Sequence, residues 1–454
     1  MESPASPQPA TLGTLLKLAW PIMISRASQT IVGLSDALLV AHLGAAALAA
    51  TATGALNSYT VLILPMGITF IVSSFASQLF GKGDHAGARR YGWYGLLVAL
   101  GTAILSVLAQ PLIEPALSLL SYSDEVHQLM AAYLRIRLLS AGAAIGIEAL
   151  SNYYGGLGRT WPGMVANLIA MVFNVFGNWV LVDGRYGAPA LGVSGSAWAS
   201  TIATTIGFIL FFSYFLLDAK PESRAELKPR EFLRMLRFGL PSGFNWLFDF
   251  GAFVFFANVV VGGLGTAALA AMNSVININS VSFMPAFGLA SAGAILVGQA
   301  IGAGQKDLVP KVVRLTTLSA LTWQCVIGLI CAIFPAFLIS FFAKGEGGAE
   351  VAVIGQRMLV ISVAWQVFDA IGNSMAESLR GAGDTLFPMA ARIAIAWLVF
   401  VPGSYLTVRY FGGADVAATL WLVAYLAMLA AALFLRFQAG SWRRIELVDH
   451  SLPV

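Results

Sequence analysis

Twelve stretches of about 20 or more mainly apolar residues follow one another along this chain, each long enough as a helix to cross a bilayer. In approximate limits they are Leu15–His42, Leu48–Phe80, Tyr91–Leu112, Val126–Tyr154, Pro162–Leu181, Gly192–Leu217, Met235–Val261, Ala267–Ile301, Val313–Phe342, Val351–Leu379, Leu386–Tyr410 and Val416–Phe437. Only 11% of the 454 residues are charged, 58% are hydrophobic and the mean hydropathy is +0.80, so there is too little polar surface to solvate a soluble fold. The sequence therefore predicts an all-α integral membrane protein of twelve helices. A cytosolic enzyme and a nucleic-acid binder are excluded. The net charge of +4 sits in short loops, where it sets orientation. With an inside N-terminus, seventeen Lys and Arg residues fall on the cytoplasmic side and six (Arg135, Arg137, Arg185, Lys344, Arg357 and Arg409) on the other. A multi-pass protein of the plasma (inner) membrane with both termini cytoplasmic is expected. The polar, Pro-rich Met1–Thr11 has no basic n-region, so the first span is expected to act as an uncleaved insertion signal.

The most charged stretch, Asp218–Arg237, lies between the sixth and seventh spans and divides the chain into an N-terminal six-helix lobe (1–217), a cytoplasmic linker (218–234) and a C-terminal six-helix lobe with a short tail (235–454). The lobes repeat at a period of about 220 residues. Leu43-Gly44-Ala45-Ala46-Ala47-Leu48 returns as Leu264-Gly265-Thr266-Ala267-Ala268-Leu269, Pro21 as Pro241, and Gln78, Gly81 and Gly83 as Gln299, Gly302 and Gly304. An even number of spans keeps both copies in one orientation, a parallel repeat of the kind used for alternating access around a central cavity. Pro21 and Pro241 are expected to kink or open the first helix of each lobe.

Five carboxylates, Asp36, Glu148, Asp249, Asp369 and Glu377, fall inside or at the ends of the apolar stretches, whereas Arg26 and Arg392 are the intramembrane cations available to pair with them. An ionisable group in hydrocarbon costs a few kcal/mol and persists mainly where it faces a cavity or a partner, so two arginines cannot neutralise five acids. Glu148 and Glu377 lie nearer the cytoplasmic ends and could be solvated. Asn174 and Asn178 share one face of the fifth span, and Ser196 and Ser200 share one face of the sixth. With Asp36 they offer either hard oxygens for an alkali cation and a proton-exchanging carboxyl, or polar glue between helices. Two readings of Arg26 stay open: pairing with a carboxylate across the cleft between lobes, or snorkelling to the cytoplasmic surface. The histidines have no metal-ligand spacing, no glycine loop with a Lys-Ser/Thr pair is present for ATP, and Cys325 and Cys331 lie on different helix faces, so neither metal, cofactor nor disulfide is expected.

Read together, Leu18-Ala19-Trp20-Pro21, Gly33-Leu34-Ser35-Asp36, Leu43-Gly44-Ala45, Gly239-Leu240-Pro241-Ser242-Gly243, Gln366-Val367-Phe368-Asp369-Ala370 and Leu379-Arg380-Gly381-Ala382-Gly383-Asp384-Thr385 resemble, in order and spacing, the multidrug and toxic compound extrusion transporters. The resemblance is closest to the bacterial norfloxacin-efflux type and covers nearly the whole chain. It implies a V-shaped pair of six-helix lobes, with no nucleic-acid partner, that exports small amphipathic, often cationic compounds as a monomer in exchange for inward Na⁺ or H⁺. It also implies a cation site at Asp36, Asn174, Asn178 and Ser200. In the second lobe it implies a cation or substrate site at Asp249, where such transporters usually carry glutamate, and at Asp369, with Trp365 at a position that tends to be aromatic. Repeat arithmetic sets Gln29 opposite Asp249 and Ala144 opposite Asp369, which suggests different jobs for the lobes. Arg26, Gln29, Glu148 and Glu377 are further candidates. The rival readings are a lipid-linked-saccharide flippase, which needs several basic residues in the cavity, and a membrane-embedded enzyme, which needs a clustered nucleophile and base; neither set is evident.

Overall fold

A computed structural model describes residues 9–118, 122–219, 226–343 and 347–448, and its regular structure is helical throughout these ranges. The helices are α1 (Leu12–Val40), α2 (Ala45–Lys82), α3 (His85–Leu108), α4 (Ile113–Leu117), α5 (Asp124–Leu138), α6 (Ala141–Gly156), α7 (Trp161–Leu181), α8 (Gly192–Leu217), α9 (Pro229–Phe255), α10 (Thr266–Gly302), α11 (Val309–Ile333), α12 (Pro335–Ser340), α13 (Gly348–Ala382), α14 (Leu386–Ile393), α15 (Val401–Tyr410) and α16 (Asp415–Gln438). Ten continuous helical stretches are long and apolar enough to cross a membrane, and the bent pair α5–α6 makes an eleventh. The twelfth is α1, whose 29 residues are ample in length but include Lys17, Arg26 and Asp36. Residues 220–225 of the expected linker, together with Lys344 and His450, lie outside the described ranges.

The structure departs from the expected spans where backbone chemistry intervenes. The fourth, expected as one helix, bends by 48° between α5 and α6. There the Ser140 hydroxyl donates to the Arg137 carbonyl at 2.9 Å and accepts from its guanidinium at 2.7 Å, a side-chain bond that competes with the helical ladder. The ninth stops at Ile333 because Pro335, with no N–H to give, opens the short α12 instead. Two helices loosen into π-type turns, at Phe256–Val261 after α9 and at Ala394–Phe400 between α14 and α15. Pro21 and Pro241 stand inside helices that continue through them, so neither opens its helix.

The internal repeat is written in the backbone. Gly44, before α2, has φ 113° and ψ 171°, and Gly265, before α10, has φ 112° and ψ 168°. Only glycine adopts that conformation without strain, so the motif shared by the two copies is a turn requirement as well as a sequence echo. Both helices also carry a proline at a matched place, Pro65 and Pro285, and both have the largest buried share among the ten continuous spans.

The chain forms two compact units, Pro21–Gly243 and Met1–Trp20 with Phe244–Val454. The division falls inside α1 and α9, next to Pro21 and Pro241, and not in the charged linker that the sequence suggested. The opening turns of α9 thus belong to the first unit, where they meet α2 at close range. A Cβ on Gly67 would lie 2.5 Å from the Cα of Gly243, so small residues set how near these two backbones come. In lipid, where tails are as apolar as leucine, such close packing is the main attraction between helices.

Candidate functional site

In the first unit, α1, α7 and α8 bring Asp36, Asn174, Asn178 and Ser200 together, all of them buried. Asn174 Nδ2 donates to Asp36 Oδ1 at 3.0 Å, Asn178 Nδ2 to the same oxygen at 2.6 Å, and Ser200 Oγ to Oδ2 at 2.9 Å. Asn174 is aimed by Ser35, whose hydroxyl donates to its Oδ1 at 3.1 Å, and its Nδ2 also reaches Ser200 Oγ at 2.8 Å. The four-residue spacing on α7 stacks the two amides on one face, as the sequence suggested. Asn178 Oδ1 and Ser196 Oγ are buried with no hydrogen-bond partner among the described residues. Asp36 itself forms no ion pair within 4 Å among them. A carboxylate held only by neutral donors, beside an unused amide oxygen, suits either a small hard cation or a proton shared with that oxygen.

Arg26 answers to Glu148. Its guanidinium makes a two-pronged contact, Nη2 to Oε1 at 2.7 Å and Nη1 to Oε2 at 3.2 Å, and Asn152 Nδ2 reaches Oε1 at 3.2 Å. Gln29 accepts from Arg26 at 3.3 Å and donates to Asn167 Oδ1 at 3.3 Å, and Asn167 in turn donates to Ser25 Oγ at 2.9 Å. The sequence left open a carboxylate across the cleft or the cytoplasmic surface for Arg26; its partner here is a carboxylate of its own unit. Glu148 is likewise buried at 5% exposure, not solvated.

In the second unit, α9, α13 and α14 place Asp249, Asp369 and Arg392 around a cavity of about 60 Å³ that is also lined by Trp246, Phe283 and Asn373. At roughly 30 Å³ per water in the liquid, the space matches about two waters or an ion. Asp249 pairs with Arg392 at 2.6 Å and accepts from Tyr425 at 2.7 Å. Asp369 accepts from Gln324 Nε2 at 3.0 Å and from Asn373 Nδ2 at 2.8 Å, two neutral donors. The two acids thus share a cavity, but the Arg392 guanidinium on Asp249 compensates one of the charges. The carboxylate pair is not a bare like-charge pair.

Two residues that the sequence offered as candidates in the second lobe sit elsewhere. Trp365 is 7% exposed one turn before Asp369 and is not among the residues lining this cavity, whereas Trp246 is. Glu377 is buried and paired with Arg380 on its own helix, and it accepts from Ser291 at 3.4 Å, so it is not solvated and a third arginine enters the balance. Glu148, Asp249 and Glu377 each have a guanidinium. Asp36 and Asp369 are left, one in each unit, with amides and a hydroxyl.

Sequence reasoning missed Gln324, Asn373, Tyr425 and Trp246. Asn373 carried a usable signal, since it stands four residues after Asp369 as Asn178 does after Asn174. Gln324 was a lone amide in an apolar run. Tyr425 and Trp246 had none to separate them from packing aromatics.

The chain matches the MatE family model at residues 21–180 and 248–406, the same stretch of each half. It is 26% identical over 436 residues to a probable multidrug resistance protein NorM of Thermotoga maritima, covering 95% of this chain and 93% of that one. To the multidrug resistance protein NorM of Photobacterium profundum it is 26% identical over 408 residues, 86% of each. Among solved structures, the outward-facing conformation of a multidrug resistance MATE family transporter of the MOP superfamily superposes with a TM-score of 0.85 at 20% identity, over 95% of this chain and 96% of that one. A MOP superfamily transporter from Pyrococcus furiosus, described as having a binding pocket of reversed polarity, gives 0.83 at 19% identity over 95% and 96%. With two matched halves spanning most of the chain, this protein belongs to the MatE family of membrane transporters.

Proposed function

We propose that the protein is a secondary multidrug efflux antiporter of the inner membrane, exporting amphipathic, often cationic compounds by alternating access in exchange for inward Na⁺ or H⁺. The observation that carries this reading is Asp36, a buried carboxylate among neutral donors with no ion pair within 4 Å among the described residues. Burying such a charge without a counter-ion costs several kcal/mol, and hydrogen bonds to a charged group return about 1.5–3 kcal/mol each. The group is therefore poised to take up a cation or proton in one state of the cycle and give it up in another. A ligand with different affinities for two states shifts their balance, and that difference is the coupling.

Asp369 repeats the arrangement in the second unit, which favours an exchangeable charge in each. Asp249, by contrast, is committed to Arg392 and serves to hold that guanidinium beside Asp369. The names of the relatives support drugs as cargo. The flippase alternative wants basic residues available for a pyrophosphate, and Arg26 and Arg392 are both engaged with carboxylates. A single chain holds both carboxylate sites, so a monomer suffices.

Cells lacking their own efflux pumps and expressing the chain should extrude ethidium when energised. Unchanged ethidium accumulation, with the protein present in the membrane, would defeat the proposal.

A further inference from the structure

Along the first unit runs an apolar groove of about 700 Å³, whose lining shares no residue with the Asp36 cluster and which the transport reading leaves unused. It is lined by Leu97, Gly101 and Leu105 of α3, by Leu112 beyond that helix, and by Phe232 and Leu236 of α9, whose start is held to the Tyr94 end of α3. From Leu97 to Leu108, α3 spans about 16 Å at 1.5 Å per residue, close to the length of an extended acyl chain. At ~30 Å³ per methylene, the share a water takes in the liquid, the groove has room for about 23 methylenes, one acyl chain and not two.

The end at Phe232 and Leu236 is marked by charge. Lys228 lies one helical turn before Phe232, and its backbone N–H and carbonyl are both held by the Tyr94 hydroxyl, at 2.8 and 3.2 Å. Its side chain is exposed, as is that of Arg230, and neither makes an ion pair among the described residues. Glu231 beside them is occupied by Arg90 at 2.8 Å, which leaves Lys228 and Arg230 as the exposed cations beside Phe232. Basic residues flanking a membrane span attract anionic headgroups. We propose that the groove holds one acyl chain of an anionic bilayer phospholipid whose phosphate rests on Lys228, a bound lipid of the first unit distinct from the exported compound.

Gly101 supplies a clean block, because a Cβ there would meet nothing within 4 Å and a longer side chain would enter the groove without pushing on backbone. The full chain is reconstituted in nanodiscs of phosphatidylglycerol and phosphatidylethanolamine with identical acyl chains, then released for native mass spectrometry. We expect one phosphatidylglycerol retained per protein, a loss of retention of at least fivefold in Gly101→Phe at an unchanged melting temperature, and at least a threefold loss of headgroup preference in Lys228→Gln. Should Gly101→Phe fold poorly, Leu105→Trp, at a position 67% exposed, places an indole in the same space. Equal retention in the wild type and the blocked variant overturns the proposal, as does equal retention of the two headgroups. Displacement of the lipid by ethidium, with a raised efflux KM in Gly101→Phe, would assign the groove to the export path and overturn it as well.

Discussion

Replacing Asp36 by asparagine changes one atom of a buried cluster and removes its charge. The new amide can turn its oxygen toward Asn174 and Asn178 and its NH₂ toward the Ser200 hydroxyl, so the three contacts at 3.0, 2.6 and 2.9 Å can persist. A neutral bond contributes about 0.5–1.5 kcal/mol against about 1.5–3 kcal/mol for a charged one, a loss of up to roughly 1–2 kcal/mol at each contact. The desolvation of a carboxylate is relieved at the same time, which offsets that loss, so the melting temperature should stay within a few degrees of wild type. Coupling should not survive. Interaction free energies between linked sites are typically about 1–3 kcal/mol, or 5–150-fold, and without a charge to bind the cation that difference vanishes. Ethidium efflux should fall at least tenfold in cells whose membrane content of the variant, read by fluorescence-detected chromatography, equals wild type. Wild-type efflux at equal content would refute the reasoning, and so would a collapse of the melting temperature, which would make Asp36 a structural residue.

Arg26→Gln should cost about 3–5 kcal/mol by stranding the buried Glu148, and Arg26→Gln with Glu148→Gln should regain much of it, as a melting-temperature cycle will show. In the second unit, Asp369→Asn should reduce efflux more than tenfold, whereas Asp249→Asn should act by releasing Arg392 toward Asp369. Strictly additive losses in the double variant would show that the two do not share one cavity function. Gly67→Leu should lower the melting temperature by many degrees, because even its Cβ would stand 2.5 Å from the Gly243 backbone.

The twelve spans, the duplication and the Asp36 cluster were legible because each rests on local rules: apolar length, a repeated glycine turn, and amides four residues apart on one helix face. What stayed hidden depends on tertiary neighbours. Arg26 could not be matched to Glu148, 122 residues away, because i,i+4 logic does not reach between helices. Glu377 reads as functional because Arg380, three residues on, falls just past the expected end of the tenth span at Leu379. The sequence points to Trp365, one turn before Asp369, as the aromatic of this site, whereas the cavity is lined by Trp246 of α9. The charge run marks a linker in the sequence, while the opening turns of α9 pack on α2 through Gly67 and Gly243, whose closeness shows only once the backbones meet.

The decisive experiment is ethidium transport in proteoliposomes under an Na⁺ gradient and a pH gradient imposed separately, for wild type and Asp36→Asn. Wild-type protein should accumulate the dye against its gradient under at least one of the two, and Asp36→Asn under neither, while passive exchange stays equal. Gradient-driven accumulation by the variant at the wild-type rate would contradict the assignment of Asp36 as the coupling group.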